Sequence, residues 1–192
     1  MFSASLATSN FSLPGNVGGF LNPASIVGDF DLKEGMSVVD FGSGSGYFTT
    51  ILGERVGQNG KVYAIDVLES ALDSVKSKAK VNNLNNIETI RADLEIVGSS
   101  GLFDDSQDVV LIANALFQAN KKENIIKEAR RVLKKGGSLI LIDWKKGAGG
   151  FGPPNDLRMD DVAVKNLVDG VGFYFEKHIQ AGKFHYGLIF RK

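Results

Sequence analysis

Cysteine is absent from this 192-residue chain, which excludes disulfides and thiolate metal sites. Histidine occurs only at His178 and His185, too few to suggest a ligand set, and no metal site is expected. No uninterrupted run of about eighteen apolar residues occurs, so a membrane-spanning helix is not expected. Neither sign of charge is in excess. With 22 basic and 22 acidic residues the chain has no global electrostatic pull toward nucleic acid or an anionic membrane. Basic residues are missing before Lys33, and residues 1–15 hold no long apolar stretch, so the opening does not read as a signal peptide. The expectation is a cytoplasmic protein.

A chain of this length and ordinary apolar content is large enough for one domain with a substantial core. Residues 1–20 read as an arm rich in Ser, Asn and Gly, and residues 21–192 as the domain. Solvated tails seldom need phenylalanines such as Phe2, Phe11 and Phe20. Part of the arm is therefore expected to lie over the domain, either as a lid on a site or as plain surface packing.

The most informative stretch is Val38 to Thr49, where a short apolar run meets Gly42, Gly44 and Gly46 and then an amphipathic segment. Strand, tight turn and helix in that order form the place where an α/β sheet holds a nucleotide-like ligand. The usual dinucleotide fingerprint puts its third glycine three residues after the second, and that position is Tyr47. Asp40 closes the strand, where a carboxylate would repel a pyrophosphate and attract a cationic ligand. The spacing thus favours a positively charged nucleoside over a nicotinamide cofactor. A second buried run, Lys61 to Asp66, ends in an acid about twenty residues past the last glycine, which suits the two hydroxyls of a ribose.

Apolar runs at 37–41, 62–66, 87–92, 108–113 and 139–143 read as strands, alternating with helical spacing at 47–56, 69–82 and 121–134. Asn22-Pro23 opens a short helix toward Gly28, and another helix is expected near 160–169. Two closing strands, 173–180 and 184–191, are joined at Ala181-Gly182. Continuous β-branched runs are what strands carry when helices cover both sheet faces. The fold expected is α/β, with a parallel sheet.

These residues resemble the class I S-adenosylmethionine-dependent methyltransferases, in particular the branch similar to the ubiquinone and menaquinone biosynthesis enzymes. The pieces that match, in order, are Asp40-Phe-Gly-Ser-Gly-Ser-Gly46, the acid at Asp66, Arg91-Ala-Asp93-Leu94, Asp108 to Asn114, and Glu128 to Gly137 leading into Ser138–Trp144. The resemblance implies a Rossmann-like seven-stranded, mostly parallel sheet with an antiparallel last strand and helices on both faces. It implies S-adenosylmethionine as cofactor and a small-molecule methyl acceptor. Carried over residue by residue, the cofactor site is Asp40, Phe41, Gly42, Ser43, Gly44, Gly46, Asp66, Val67, Asp93, Leu94, Ala113 and Asn114. In that pattern Asp66 holds the ribose, Val67 packs beside the adenine, Asp93-Leu94 borders the adenine, and Ala113-Asn114 lies beside the methionine part. The missing cysteines exclude the cysteine-dependent arsenic methyltransferases.

The catalytic residue, if one is needed, is not marked. Acceptor-side candidates are Phe117, Gln118, Trp144, Lys145 and the 150–155 loop, while His185 reads as a base or as a packed ring. Asp108 begins its strand and so belongs to the end opposite the ligand crevice. The basic residues of the 121–135 stretch read as a helix end favouring its dipole, rather than as an RNA patch. Methylation of a protein or RNA, and non-catalytic binding of the cofactor or its demethylated product, are the alternatives. Nothing announces an oligomer interface.

Overall fold

The apolar runs pair side by side. In the computed structural model, which describes residues 21–192, the strands are β1 (Ser37–Phe41), β2 (Lys61–Asp66), β3 (Ile87–Arg91), β4 (Gln107–Ala113), β5 (Leu133–Trp144), β6 (Tyr174–Ile179) and β7 (His185–Arg191). They form one sheet in the order β3-β2-β1-β4-β5-β7-β6. Every pairing from β3 across to β5 is parallel, and β7 runs antiparallel to both β5 and β6. The arm expected over residues 1–20, and its reading as a lid, lie outside the described residues.

The helices are α1 (Pro23–Ile26), α2 (Tyr47–Val56), α3 (Glu69–Val81), α4 (Lys122–Val132) and α5 (Asp161–Gly170). Asn22 caps α1 by accepting from the Ser25 N–H, with Pro23 at the first turn, and Asp160 caps α5 by accepting from the Ala163 N–H. Alternation along the inner strands buries both faces. Val39, Phe41, Val110, Ile112, Leu139 and Leu141 pack with α4 and α5, whereas Val38, Val109, Leu111, Ile140 and Ile142 pack with Phe48, Leu52 and Val56 of α2. No helix among the described residues is long and apolar enough to cross a membrane.

The helix expected over 121–134 stops at Val132, and Leu133 is already extended. Its Lys-Lys-Gly-Gly tail looks like a helix end in sequence but becomes the start of β5. Long-range partners decide this: Lys134 Nζ reaches Asp108 Oδ1 at 2.7 Å, and Gly136 and Gly137 exchange backbone hydrogen bonds with Lys192. Asp108 thus sits at the amino end of the sheet, where its other oxygen accepts from the Ser37 N–H.

One buried charge fastens α4 to the loop between β3 and β4. Glu128 is fully buried and accepts from Ser100 Oγ, from the Gly98 N–H at 2.6 Å, and from the Arg131 guanidinium at 2.7 and 2.9 Å. Burial alone would push its carboxyl up, but the hydrogen bonds from Arg131, Ser100 and Gly98 outweigh that and hold it below the usual glutamate range. Its contribution to stability is therefore present above the unfolded-state pKa and lost as pH falls through the lower folded value. Glu128→Gln is expected to destabilise the protein by about 1–3 kcal/mol at pH 7, because a donor replaces an acceptor facing Arg131. The loss should shrink in acid, where the wild-type carboxyl takes up a proton. Urea denaturation at both pH values checks this, and an equal loss at the two would show that the charge is not what matters.

Candidate functional site

The chain leaves β1 for β2 and β3 on one side of the sheet, then crosses to β4 on the other. At this reversal the loops after β1 and β4 separate, and a crevice opens at the carboxyl ends of the strands. A cavity of about 610 Å³ lies there, a volume typical of small-ligand sites. Four segments at the strand ends line it: Asp40–Gly44 at the end of β1, Asp66–Leu68 at the end of β2, Ala92–Glu95 after β3 and Ala113–Ala115 at the end of β4.

The glycine loop is fitted to its surroundings at two points. Gly42 has φ +72°, and a Cβ there would come within 2.8 Å of Ala115 Cβ, so β1 and the turn after β4 could not approach. Gly46 has φ +80°, and a Cβ there would lie 2.8 Å from Val75 Cγ2 of α3. Gly46 thus serves packing between the loop and α3, and the structure places it outside the cavity lining. All the other residues expected to hold a cofactor line the cavity.

Two carboxylates stand at the strand ends. Asp66 Oδ2 accepts from the Gly44 N–H and Oδ1 from the Leu68 N–H, both at 2.9 Å. One side chain therefore fixes the glycine loop and its own turn, while each oxygen keeps a further lone pair. Asp40 is buried, and Thr49 Oγ1 donates to its Oδ2 at 2.6 Å. Burial pushes the Asp40 carboxyl up to about 6, opposed by the Thr49 hydrogen bond and reinforced by the neighbouring Asp66. A bound cation would reverse much of that cost.

Two buried polar atoms of the cavity lining, Ser43 Oγ and Asn114 Oδ1, have no hydrogen-bond partner among the described residues. Buried polar atoms are nearly always paired, so these two are exceptions at the border of the cavity. Asn114 also holds a left-handed φ of +54°, rare outside glycine, while its N–H donates to Ile142 O. Asp93 folds back to accept from the Glu95 N–H at 2.9 Å, and Leu94 is buried beside it. Half-exposed Val67 and Leu68 form an apolar edge to the cavity.

Sequence reasoning missed Glu95, which lines the cavity and accepts from the Asn120 and Lys121 N–H groups. It also missed Tyr47 and Phe48, although their place after the third glycine was a usable signal. Of the acceptor-side candidates, Gln118 lines the cavity, whereas Phe117, Trp144 and Lys145 do not. Trp144 instead covers His185, with ring centroids 4.1 Å apart, and stands 5.6 Å from the Arg158 guanidinium. Buried Arg158 donates to the carbonyls of Lys145, Phe151 and Pro153, which shapes the 145–158 loop around the indole. His185 is a packed ring in this arrangement. Burial, with Lys145 and Arg158 nearby, pushes its pKa down to about 4.

Comparison with known proteins agrees with this geometry. A family model described as a methyltransferase domain matches residues 32–178. A solved S-adenosylmethionine-dependent methyltransferase from Aquifex aeolicus superposes with a TM-score of 0.81 at 29% identity, covering 89% of each chain. A Sulfolobus solfataricus structure, a type 11 methyltransferase by name, gives 0.73 at 30% identity over 90% of this chain and 93% of that one. The ubiquinone/menaquinone biosynthesis C-methyltransferase of Escherichia fergusonii is 29% identical over 116 residues, which are 60% of this chain and 45% of that relative. The chain therefore matches about half the length of that relative.

Proposed function

The chain belongs to the methyltransferase domain family, and on that premise we propose that it transfers the methyl group of S-adenosylmethionine to a small-molecule acceptor. The observation that carries the reading is that Asp40, Asp66 and Asn114 all line one cavity of cofactor size. The donor set fits the group: the Asp66 oxygens suit the ribose hydroxyls, and Val67, Leu68 and Leu94 supply apolar walls for the adenine. Asn114 Oδ1 and the Asp40 carboxylate suit an ammonium and a sulfonium, respectively an N–H donor and a fixed positive charge.

When bound, the cofactor supplies an electrophilic methyl carbon on a cationic sulfur. The chain's own residues would bind and orient, which is most of what an in-line displacement asks of a protein. Asp40 would favour the cation, Asn114 would fix the methionine end, and Gln118 would stand on the acceptor side. A small acceptor is supported by the names of the quinone-biosynthesis relatives and by the largely apolar walls of the cavity.

Calorimetric titration of the purified protein with S-adenosylmethionine, S-adenosylhomocysteine and NADH tests the cofactor. Binding of both adenosyl ligands in the micromolar range, with none of NADH, is expected. A preference for NADH, or no heat from any of the three, would remove the reading.

A further inference from the structure

Two adjacent threonines of α2 use their hydroxyls in different ways. Thr50 Oγ1 donates back to Gly46 O at 3.2 Å, the carbonyl four residues earlier, as helical threonines commonly do. Thr49 Oγ1 instead crosses to β1 and donates to Asp40 Oδ2 at 2.6 Å. Thr49 is fully buried and does not line the cavity, whereas Asp40 does. Among the described residues no other hydrogen-bond donor meets this carboxylate. Thr49 therefore reaches a bound ligand only through Asp40.

A buried carboxylate persists as an anion only where donors or cations compensate it. The elements packed against Asp40 leave that task to Thr49. Its register neighbours in β2 and β4 are the apolar Ala64 and Leu111. On β2, Asp66 is a like charge, while Lys61 and Tyr63 lie toward the amino end, as does Asp108 on β4. On α2, which packs on β1, Tyr47, Glu54 and Arg55 are all exposed. Asp93 and Glu95, which share the cavity lining, are engaged by backbone N–H groups. Burial and Asp66 both disfavour the charged form of Asp40, and among the described residues the Thr49 hydroxyl opposes them.

We propose that Thr49 is a positioning residue that sets the crevice's preference for the cationic cofactor over its demethylated product: its hydroxyl fastens the negatively charged Asp40 carboxylate with one oxygen turned to α2. The inference rests on the methyl-transfer reading for the identity of the two ligands. S-adenosylmethionine and S-adenosylhomocysteine share their adenosine and amino-acid ends and differ at sulfur, where the first carries a methyl group and a positive charge. An ionised Asp40 gains a Coulomb partner from the first and none from the second. Methyl transfer removes that charge, so the Thr49–Asp40 pair loosens the spent cofactor and favours its replacement by a fresh one. Without the hydroxyl the acid takes up a proton more readily, and the distinction between the ligands fades.

The test is calorimetry of the whole protein with both ligands from about pH 5.5 to about pH 8.5. It compares wild type with Thr49→Val, which replaces the hydroxyl by a methyl, and Thr49→Ser, which keeps it. A hydrogen bond to a charged acceptor contributes a factor of about ten or more, so in Thr49→Val the midpoint of the S-adenosylmethionine profile is expected to rise by about one pH unit. At pH 7 this variant should bind S-adenosylmethionine about three- to tenfold more weakly and S-adenosylhomocysteine within about twofold of wild type. Most of the loss should be regained at the alkaline end, and Thr49→Ser should restore the wild-type profile. In an Asp40→Asn background Thr49→Val should cost little further. Equal weakening of both ligands at every pH, an unmoved midpoint, or an undiminished loss beside Asp40→Asn would overturn the proposal, since each makes Thr49 a packing residue only. Should the valine variant not fold, Thr49→Ala takes its place. A ¹³C-carboxyl titration of Asp40 without ligand, assigned by its absence in Asp40→Asn, separates the two readings. A midpoint moved by Thr49→Val, with neither ligand bound by wild type, would overturn the cofactor reading and with it the ligand preference. An unmoved midpoint with both ligands bound would overturn the inference about Thr49 alone.

Discussion

Asp66→Ala is expected to weaken binding of S-adenosylmethionine and S-adenosylhomocysteine by on the order of 100-fold, with little change in the folded fraction. Two effects of one side chain add. The first is direct, since each hydrogen bond from a ribose hydroxyl to a carboxylate contributes about 1.5–3 kcal/mol. The second is preorganisation, because Asp66 also accepts from the Gly44 and Leu68 N–H groups and so holds the loop against which the ligand lies. Asp66→Asn separates them. One amide oxygen can still accept a backbone hydrogen bond, but the charge is gone, so a loss between wild type and alanine is expected. Calorimetry at constant ionic strength measures all three proteins. An alanine variant within about threefold of wild type would remove Asp66 from the binding surface and leave it a loop fastener only.

The same residue illustrates why much of this site is legible in the sequence. Asp40, the three glycines and Asp66 act through local geometry: a strand end, a turn needing positive φ, and a second strand end in parallel register with the first. Short-range patterns announce such features. Gly46 shows the limit, because the pattern marks a glycine but not whether ligand or neighbour demands it, and here the neighbour is Val75. Glu95 reaches the cavity only because its carboxylate meets Asn120 and Lys121, about 25 residues on, an encounter no periodicity encodes. The helix over 121–134 ends at Val132 for the same reason, since Lys192 and Asp108 pull Lys134 to Gly137 into the sheet. His185 shows its strand alternation in sequence, yet its burial under Trp144 depends on the Arg158 loop, which returns from beyond β5.

Asp40 sets stability against binding, and Asp40→Asn is expected to raise the one while lowering the other. Its folded pKa of about 6 lies above the unfolded value of 3.8, so between those limits the native state binds the extra proton and stability falls as pH rises. The shift corresponds to about 3 kcal/mol as an upper figure. At pH 7 the asparagine variant without ligand should therefore resist urea better than wild type by up to about that amount, and the advantage should vanish near pH 4. Taking the difference between the two proteins cancels Asp143, whose buried carboxyl is likewise pushed up to about 6. Binding runs the other way, because a cationic ligand prefers the ionised form. Wild-type affinity for S-adenosylmethionine should climb about tenfold from pH 5 to pH 7.5, as the ionised fraction of a group titrating near 6 rises from about a tenth to nearly all. Below pH 6 binding should also release a proton, visible as a dependence of the measured heat on the buffer's ionisation enthalpy. In Asp40→Asn both the slope and the proton release should disappear. A variant that keeps the wild-type pH profile would show that another group titrates there, and that the buried acid at the end of β1 is not what recognises the charge.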